Sequence, residues 1–341
     1  MAEEEGRDAE LWAMADLVTP MALRVAATLR VADHVTAGLC GAPELAEAEH
    51  ADPDALDRLL RHLVTVDVLS RDEAGRYALT DRGQSLRNDH RSGMRALLDI
   101  DNAIGRADLS FVHLLHSVRT GEAGFPAQFG RPFWDDLAAD PARTTSYDAQ
   151  MGSDVAAWAP FIVAARDWGS LAHVIDVGGG DGTLLAALLR AHPDLRGTVF
   201  DQPATVDAAR ETLAAAGLAA RSDVVSGSFF DPLPAGAGGY LLSAILHDWD
   251  DGAALAILRR CAQAARPTGT VFVVEKTGAD GESPPSDMDL RMLVYFGGRE
   301  RGVTDLVSLA ADAGLHGATV HPAGDLSIIE LTALPHAAVR K

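Results

Sequence analysis

The stretch "VIDVGGGDGTLLAALL", residues 174–189, constrains the fold more than any other part of this chain. An apolar, β-branched run ends in four glycines among five residues, and helical period begins at once. Glycine there permits a tight turn and a close approach of backbone to a ligand. The same alternation continues to the C-terminal side. "GTVFDQP", "DVVSGSFFDPLP", "GYLLSAILH" and "GTVFVVEKT" read as strands or strand ends, and "ATVDAARETLAAAG" and "GAALAILRRCAQAARP" as helices between them. Apolar strands alternating with helices predict an α/β fold, Rossmann-like, with a doubly wound, mostly parallel sheet covered on both faces. Such a sheet binds ligands at the carboxyl ends of its strands.

The spacing of the glycines narrows the ligand. A dinucleotide fingerprint starting at Gly178 and Gly180 requires glycine where Thr183 stands, and no GxxxxGK[ST] phosphate loop occurs. Asp176, Gly178, Gly180 and Gly182 instead form DxGxGxG, the arrangement of sheets that bind S-adenosylmethionine. Asp201, at the end of the next strand, is placed to accept both ribose hydroxyls. Ser228 and Phe229, after the third, are placed at the adenine edge and ring.

The stretch "GGYLLSAILHDWDDG" delivers a histidine and three carboxylates at a strand end. Asp250 or Asp251 is expected to cap the helix that follows, by accepting hydrogen bonds from its free amides. Capping leaves His247 unexplained.

Ahead of the sheet lie two other regions. Residues 20–86 read as three helices and a hairpin, the order of a winged helix. "DPDALDRLLRHLVTVDVL" places Leu56, Leu59, Leu60 and Leu63 on one face. A winged helix invites a DNA-binding reading. Its would-be recognition helix, however, sets Asp52, Asp54 and Asp57 against Arg58, Arg61 and His62. The whole chain carries a net charge of −20, which repels polyanions. Dimerisation is the expected use. Residues 94–166 read as irregular and helical, with an aromatic loop "FPAQFGRPFWDDLAADP" and one long helix bearing Met151 and Asp154. The expected divisions are a winged-helix-like dimerisation domain over 1–93, a helical linker and substrate lid over 94–166, and the cofactor domain over 167–341.

Cys40 and Cys261 are the only cysteines, too few for a disulfide framework or a cysteine metal site. The acidic "MAEEEGRDAE" start is unlike a signal peptide, and no apolar run is long enough to span a bilayer. The expectation is a cytoplasmic protein with neither nucleic acid nor membrane as partner.

"DVGGGDG", "HDWDD", "RPTGTVFVVE", "MDLRMLVYFGGRER" and "RVAATLRVADH" together resemble the dimeric S-adenosylmethionine-dependent O-methyltransferases, which include plant caffeate enzymes and bacterial polyketide-tailoring enzymes. The similarity is strongest to bacterial naphthoate O-methyltransferases of enediyne and azinomycin-type biosynthesis. The resemblance implies methyl transfer to a phenolic hydroxyl of an aromatic acid by a homodimer, without a metal. It implies His247 as base, flanked by Glu275 and Glu300, and cofactor contacts at Gly178, Asp201, Ser228, Phe229 and Ser243. Trp134, Met151, Asp154, Met288, Met292, Tyr295 and Phe296 are the expected lining of a flat apolar substrate pocket. For the apolar and aromatic ones, packing in the core is an alternative. The His247 imidazole, at an unperturbed pKa of about 6.5, is expected to be a neutral base at pH 7.

Overall fold

A computed structural model describes residues 2–278, 281–283 and 286–333. The chain divides into two compact units, Met1–Leu109 and Ser110–Lys341. The stretch 94–166 is therefore shared: its short helices Met94–Leu98 and Ala103–Asp108 fall in the first unit and the rest in the second.

In the first unit, helices Val18–Thr28, Val31–Thr36, Ala42–Ala48 and Pro53–Thr65 precede a small hairpin of β1 (Leu69–Arg71) and β2 (Tyr77–Leu79). Asp52 caps the last of these helices by accepting the Ala55 N–H at 2.8 Å. Leu56, Leu60 and Leu63 are buried beneath it, with Leu45, Val68 and Tyr77 in the same core. Tyr77 donates its hydroxyl to Asp57 at 2.7 Å, so the wing is tied to the helix by chemistry as well as packing. Leu11, Trp12, Met14, Leu17 and Val18, at the N-terminal end, are exposed.

The second unit is built on a seven-stranded sheet. Its strands are β3 (His173–Val177), β4 (Arg196–Asp201), β5 (Ser222–Ser226), β6 (Gly239–Ser243), β7 (Thr270–Lys276), β8 (Leu315–Ala323) and β9 (Leu326–Ala333), in the order β5-β4-β3-β6-β7-β9-β8. The first five pair in parallel, and β9 and β8 join antiparallel at one edge. Both faces are apolar, as a doubly wound sheet demands. Tyr240, Leu242, Val271 and Val273 pack with Ile257, Leu258 and Cys261 of helix Asp251–Ala264. Their alternates Leu241, Phe272 and Val274 pack with Leu185, Leu188 and Leu189 of helix Thr183–Ala191.

The chain runs outward from β3 to β4 and β5, then returns to lay β6 beside β3. The strand order reverses at that pair, so the carboxyl ends of β3 and β6 flank the crevice of the sheet. The glycine turn follows β3, and His247 follows β6.

Three expectations change. Four helices stand where three were expected before the hairpin, because the first is parted at Arg30 (φ 47°). The aromatic loop is in fact two one-turn helices, Phe125–Phe129 and Phe133–Ala138, separated by Gly130 (φ 76°) and Pro132. Phe125 and Phe133 are buried, and their burial orders the segment. The closing β8–β9 hairpin was not expected. Gly317 and Pro322 interrupt β8 and most of its residues face solvent, so it lacks a strand's usual apolar alternation.

Candidate active site

At the end of β3, Asp176 is 1% exposed and its Oδ2 has no hydrogen-bond partner. Burial, and then the charges of Asp201 and Asp181, push this carboxyl up to about 7. The backbone then turns through Gly178 (φ 73°), Gly180 (φ 56°) and Gly182 (φ 77°), a left-handed path that side chains resist. The Gly178 N–H donates to Phe200 O at 2.8 Å, tying the turn to the end of β4. A Cβ on Gly178 would lie 2.5 Å from Ile245 Cδ1, whereas one on Gly180 would meet nothing within 4 Å. The turn is thus packed on one side and open at Gly180.

Asp201, at the tip of β4, accepts the Gly180 N–H at 2.8 Å through Oδ2 and the Gln202 N–H at 2.6 Å through Oδ1. Burial raises its carboxyl above the usual range, against those two bonds. Beyond β5, Ser228 Oγ accepts the Phe230 N–H at 3.3 Å, and Phe229 meets Trp249 edge-on at 5.8 Å. Ser243 ends β6, opposite Val274. Strand ends, open turn and an orphaned buried carboxylate fit a cationic nucleoside such as S-adenosylmethionine.

His247 sits in the short turn Leu246–Asp248 that follows β6. Its Nδ1 lies 3.2 Å from Glu275 Oε2 and 3.6 Å from Glu300 Oε1, and its Nε2 3.4 Å from Asp248 Oδ1. The Nδ1 contacts are ion-pair distances without the alignment of a hydrogen bond. Burial alone would depress this imidazole. The charges of Glu275, Asp248 and Glu300 outweigh it and lift the group to about 10. Against the expectation of an ordinary imidazole, three carboxylates favour the protonated form of His247. Burial also lifts Asp248 to about 7, against the pull of His247. Asp250, as expected, caps the next helix by accepting the Ala253 N–H at 2.8 Å.

Beside this turn stands an aromatic cluster. Trp134 stacks on Phe296 at 5.3 Å and on Trp249 at 6.4 Å, and its buried Nε1 has no hydrogen-bond partner. Met292 and Tyr295 are buried, Tyr295 stacking on Phe133 at 6.4 Å, as core residues do. Met288 is 41% exposed at the start of helix Asp287–Phe296. Met151 and Asp154 lie on helix Pro141–Ala164, where Asp154 accepts from Gln150 at 3.0 Å.

The same helix brings two residues that the sequence reading missed. Tyr147 meets Trp134 at 5.6 Å, and its hydroxyl is held well above its ordinary value by burial, then by Asp248, Asp148, Asp201 and Asp154. Asp148 is pushed up to about 6 by burial, then by Asp201 and Asp181. Both lie within one turn of Met151, which was the available signal.

A doubly wound sheet whose glycine turn and acidic strand ends meet at the switch point is the architecture of a Rossmann-like methyltransferase. Residues 111–316 match the O-methyltransferase domain family, and residues 12–89 match the O-methyltransferase dimerisation domain. The chain belongs to the O-methyltransferase family. It is 54% identical over 324 residues to the 2,7-dihydroxy-5-methyl-1-naphthoate 7-O-methyltransferase of Streptomyces carzinostaticus, covering 95% of this chain and 97% of that protein. It is 43% identical over 345 residues to the aclacinomycin 10-hydroxylase RdmB of Streptomyces purpurascens, covering 97% of this chain and 92% of that one. Among solved structures, the O-methyltransferase NcsB1 of neocarzinostatin biosynthesis, in complex with S-adenosylmethionine and 2-hydroxy-5-methyl naphthoic acid, matches with a TM-score of 0.89 at 54% identity, covering 94% of this chain and 98% of that chain. Among the described residues, no helix is long and apolar enough to cross a membrane.

Proposed function

We propose that this protein, as a homodimer, transfers a methyl group from S-adenosylmethionine to a phenolic hydroxyl of a hydroxynaphthoic acid in antibiotic biosynthesis, with His247 as general base. The observation that carries the reading is His247 at the end of β6, beside the glycine turn of β3 and held by Glu275, Glu300 and Asp248. The naphthoate identity rests on the 54% identity to the Streptomyces carzinostaticus enzyme, and the dimer on the match to the dimerisation domain.

The bound donor supplies a methyl group already activated by its sulfonium. Gly178 and Gly180 give it backbone contact, Asp201 takes the ribose hydroxyls, and Ser228, Phe229 and Ser243 flank the base. The unpartnered Oδ2 of Asp176 is an acceptor at the start of that turn. Trp134 and Phe296 give the site an aromatic wall, and the unpaired Trp134 N–H is a donor for the acceptor's carboxylate or hydroxyl. His247, in its neutral form, takes the hydroxyl proton as the methyl passes from sulfur to the phenolic oxygen, and Glu275 and Glu300 hold the imidazolium that results.

The test is His247→Ala, with the donor dissociation constant measured in parallel. Positioned base catalysis contributes about a hundredfold to ten-thousandfold, so methyl transfer to a hydroxynaphthoic acid falls by at least that lower figure while donor binding is kept. A loss below tenfold ends the assignment of His247 as base.

A further inference from the structure

We propose that Arg301 is a positioning residue for methyl transfer: its guanidinium locks the turn that carries His247. The proposal rests on the reading of His247 as the base.

Arg301 is 3% exposed, and its donors are directed into the turn. Nη1 donates to Leu246 O at 2.7 Å and Nη2 to Trp249 O at 2.8 Å, so carbonyls on both sides of His247 are held by one plane. Nε and Nη2 donate to Asp251 Oδ1 at 3.0 and 2.7 Å, which ties that plane to the first turn of helix Asp251–Ala264. With Arg299 O at 3.4 Å from Nη1, four acceptors are met by one rigid fork. A lysine, a single flexible point charge, does not span them.

The neighbours of Arg301 work on the same turn. The Arg299 N–H donates to His247 O at 2.9 Å. Gly298 lies so close that a Cβ there would be 2.1 Å from His247 O and 2.6 Å from Asp248 C. Glu300 reaches His247 Nδ1. Residues 298–301 therefore clasp the turn as a unit, and only Glu300 among them faces the imidazole.

The turn has reason to need a clasp. Ala244, three residues ahead of the histidine, has φ of 53°, a conformation that β-carbons resist. Leu246 is then gripped at both ends: its N–H donates to Glu275 Oε1 at 2.8 Å and its carbonyl accepts from Arg301. Glu275 thus fixes the turn from β7 and Arg301 from the loop that carries Glu300. Loosening Arg301 lets the imidazole drift relative to both carboxylates.

The experiment compares wild type, Arg301→Lys, Asp251→Asn and His247→Ala in the full-length protein. It measures kcat, KM and donor affinity, and the pH profile of kcat. Arg301→Lys is expected to lower kcat about tenfold or more, with KM and donor affinity within about twofold, because small displacements at a reacting centre act on kcat. Its rising pH limb is also expected to move, since the imidazole–carboxylate distances set where that limb lies. Asp251→Asn, on a side chain 61% exposed, gives the same effects at smaller size and carries the test if the lysine variant does not fold. Wild-type kcat and pH profile in both variants, with His247→Ala inactive, overturns the role of Arg301 alone. Full activity in His247→Ala removes the base and this proposal with it.

Discussion

The carboxylates around His247 make a prediction that separates this site from a plain histidine base. A phenol titrates near 10 and an ordinary imidazole near 6.5, so removing the phenol proton with a plain imidazole costs about 5 kcal/mol. With the imidazole lifted to about 10, that transfer is nearly level. The cost has moved to an earlier step, because freeing the imidazole of its own proton at pH 7 takes about 4 kcal/mol. The carboxylates therefore do little to the total at neutral pH. They change where the cost appears, and that is visible in pH dependence. A plain base gives a rate flat above about pH 7.5, whereas this site gives one that climbs toward pH 10.

The perturbation is Glu300→Gln, which keeps the shape and removes one charge 3.6 Å from His247 Nδ1. At an effective dielectric of about 20 that charge is worth at most about 4–5 kcal/mol, or about three pK units. Burial raises the Glu300 carboxyl above its usual range, against the pull of His247, and screening of the pair by its surroundings keeps the effect below that upper bound. The rising limb of kcat/KM is expected to shift to lower pH by about one unit or more. The assay is initial rate of methyl ether formation from a hydroxynaphthoic acid between pH 6 and 10, read by mass spectrometry. The phenol's own pKa is the same in both enzymes, so the displacement belongs to the protein. A limb that stays in place, or moves upward, refutes the argument that these carboxylates set the proton affinity of the base.

Two further outcomes follow. Asp176, raised to about 7 by burial, contributes stability that is full below its unfolded value near 3.9 and is lost as pH rises through about 7. The ligand-free Asp176→Asn protein is therefore expected to melt higher than wild type at pH 8 and together with it at pH 4, by scanning calorimetry; equal melting at both values contradicts the burial argument. Trp12, on helix Ala2–Ala15, and Leu17, just ahead of helix Val18–Thr28, are 74% and 67% exposed. If they are buried between two copies, the double variant Trp12→Glu, Leu17→Glu runs as a monomer in light scattering where wild type runs as a dimer, and an unchanged mass places the interface elsewhere.

What the sequence made legible follows the range of each interaction. Strand–turn–helix order, the glycine path and the cap at Asp250 are local, and they stand in the structure where the residues indicate. Glu275 and Glu300 were reachable only by likeness to a family, because each lies more than 25 positions from His247 in the chain. The clasp by Gly298 and Arg301 left a trace in "GGRER", yet nothing local marks which of its two arginines is buried. Tyr147 and Asp148 needed the face that helix Pro141–Ala164 turns toward the strand ends, which tertiary packing decides. The edge strand β8 shows little alternation because solvent covers most of it.

The proton state of the site was the least legible property, and the reason is physical. An imidazole's affinity for its proton depends on charges within a few ångströms, and here those come from β7, from the turn itself and from the loop after helix Asp287–Phe296. No single segment carries that sum. A motif names the base, but only the convergence of three carboxylates on one ring says at what pH it acts. The same convergence explains why the turn is clasped so closely. Coulomb energies between groups 3–4 Å apart change steeply with distance, so a turn free to move would have no fixed proton affinity. Holding Leu246 from both ends and Trp249 from below fixes the geometry on which the base's affinity depends.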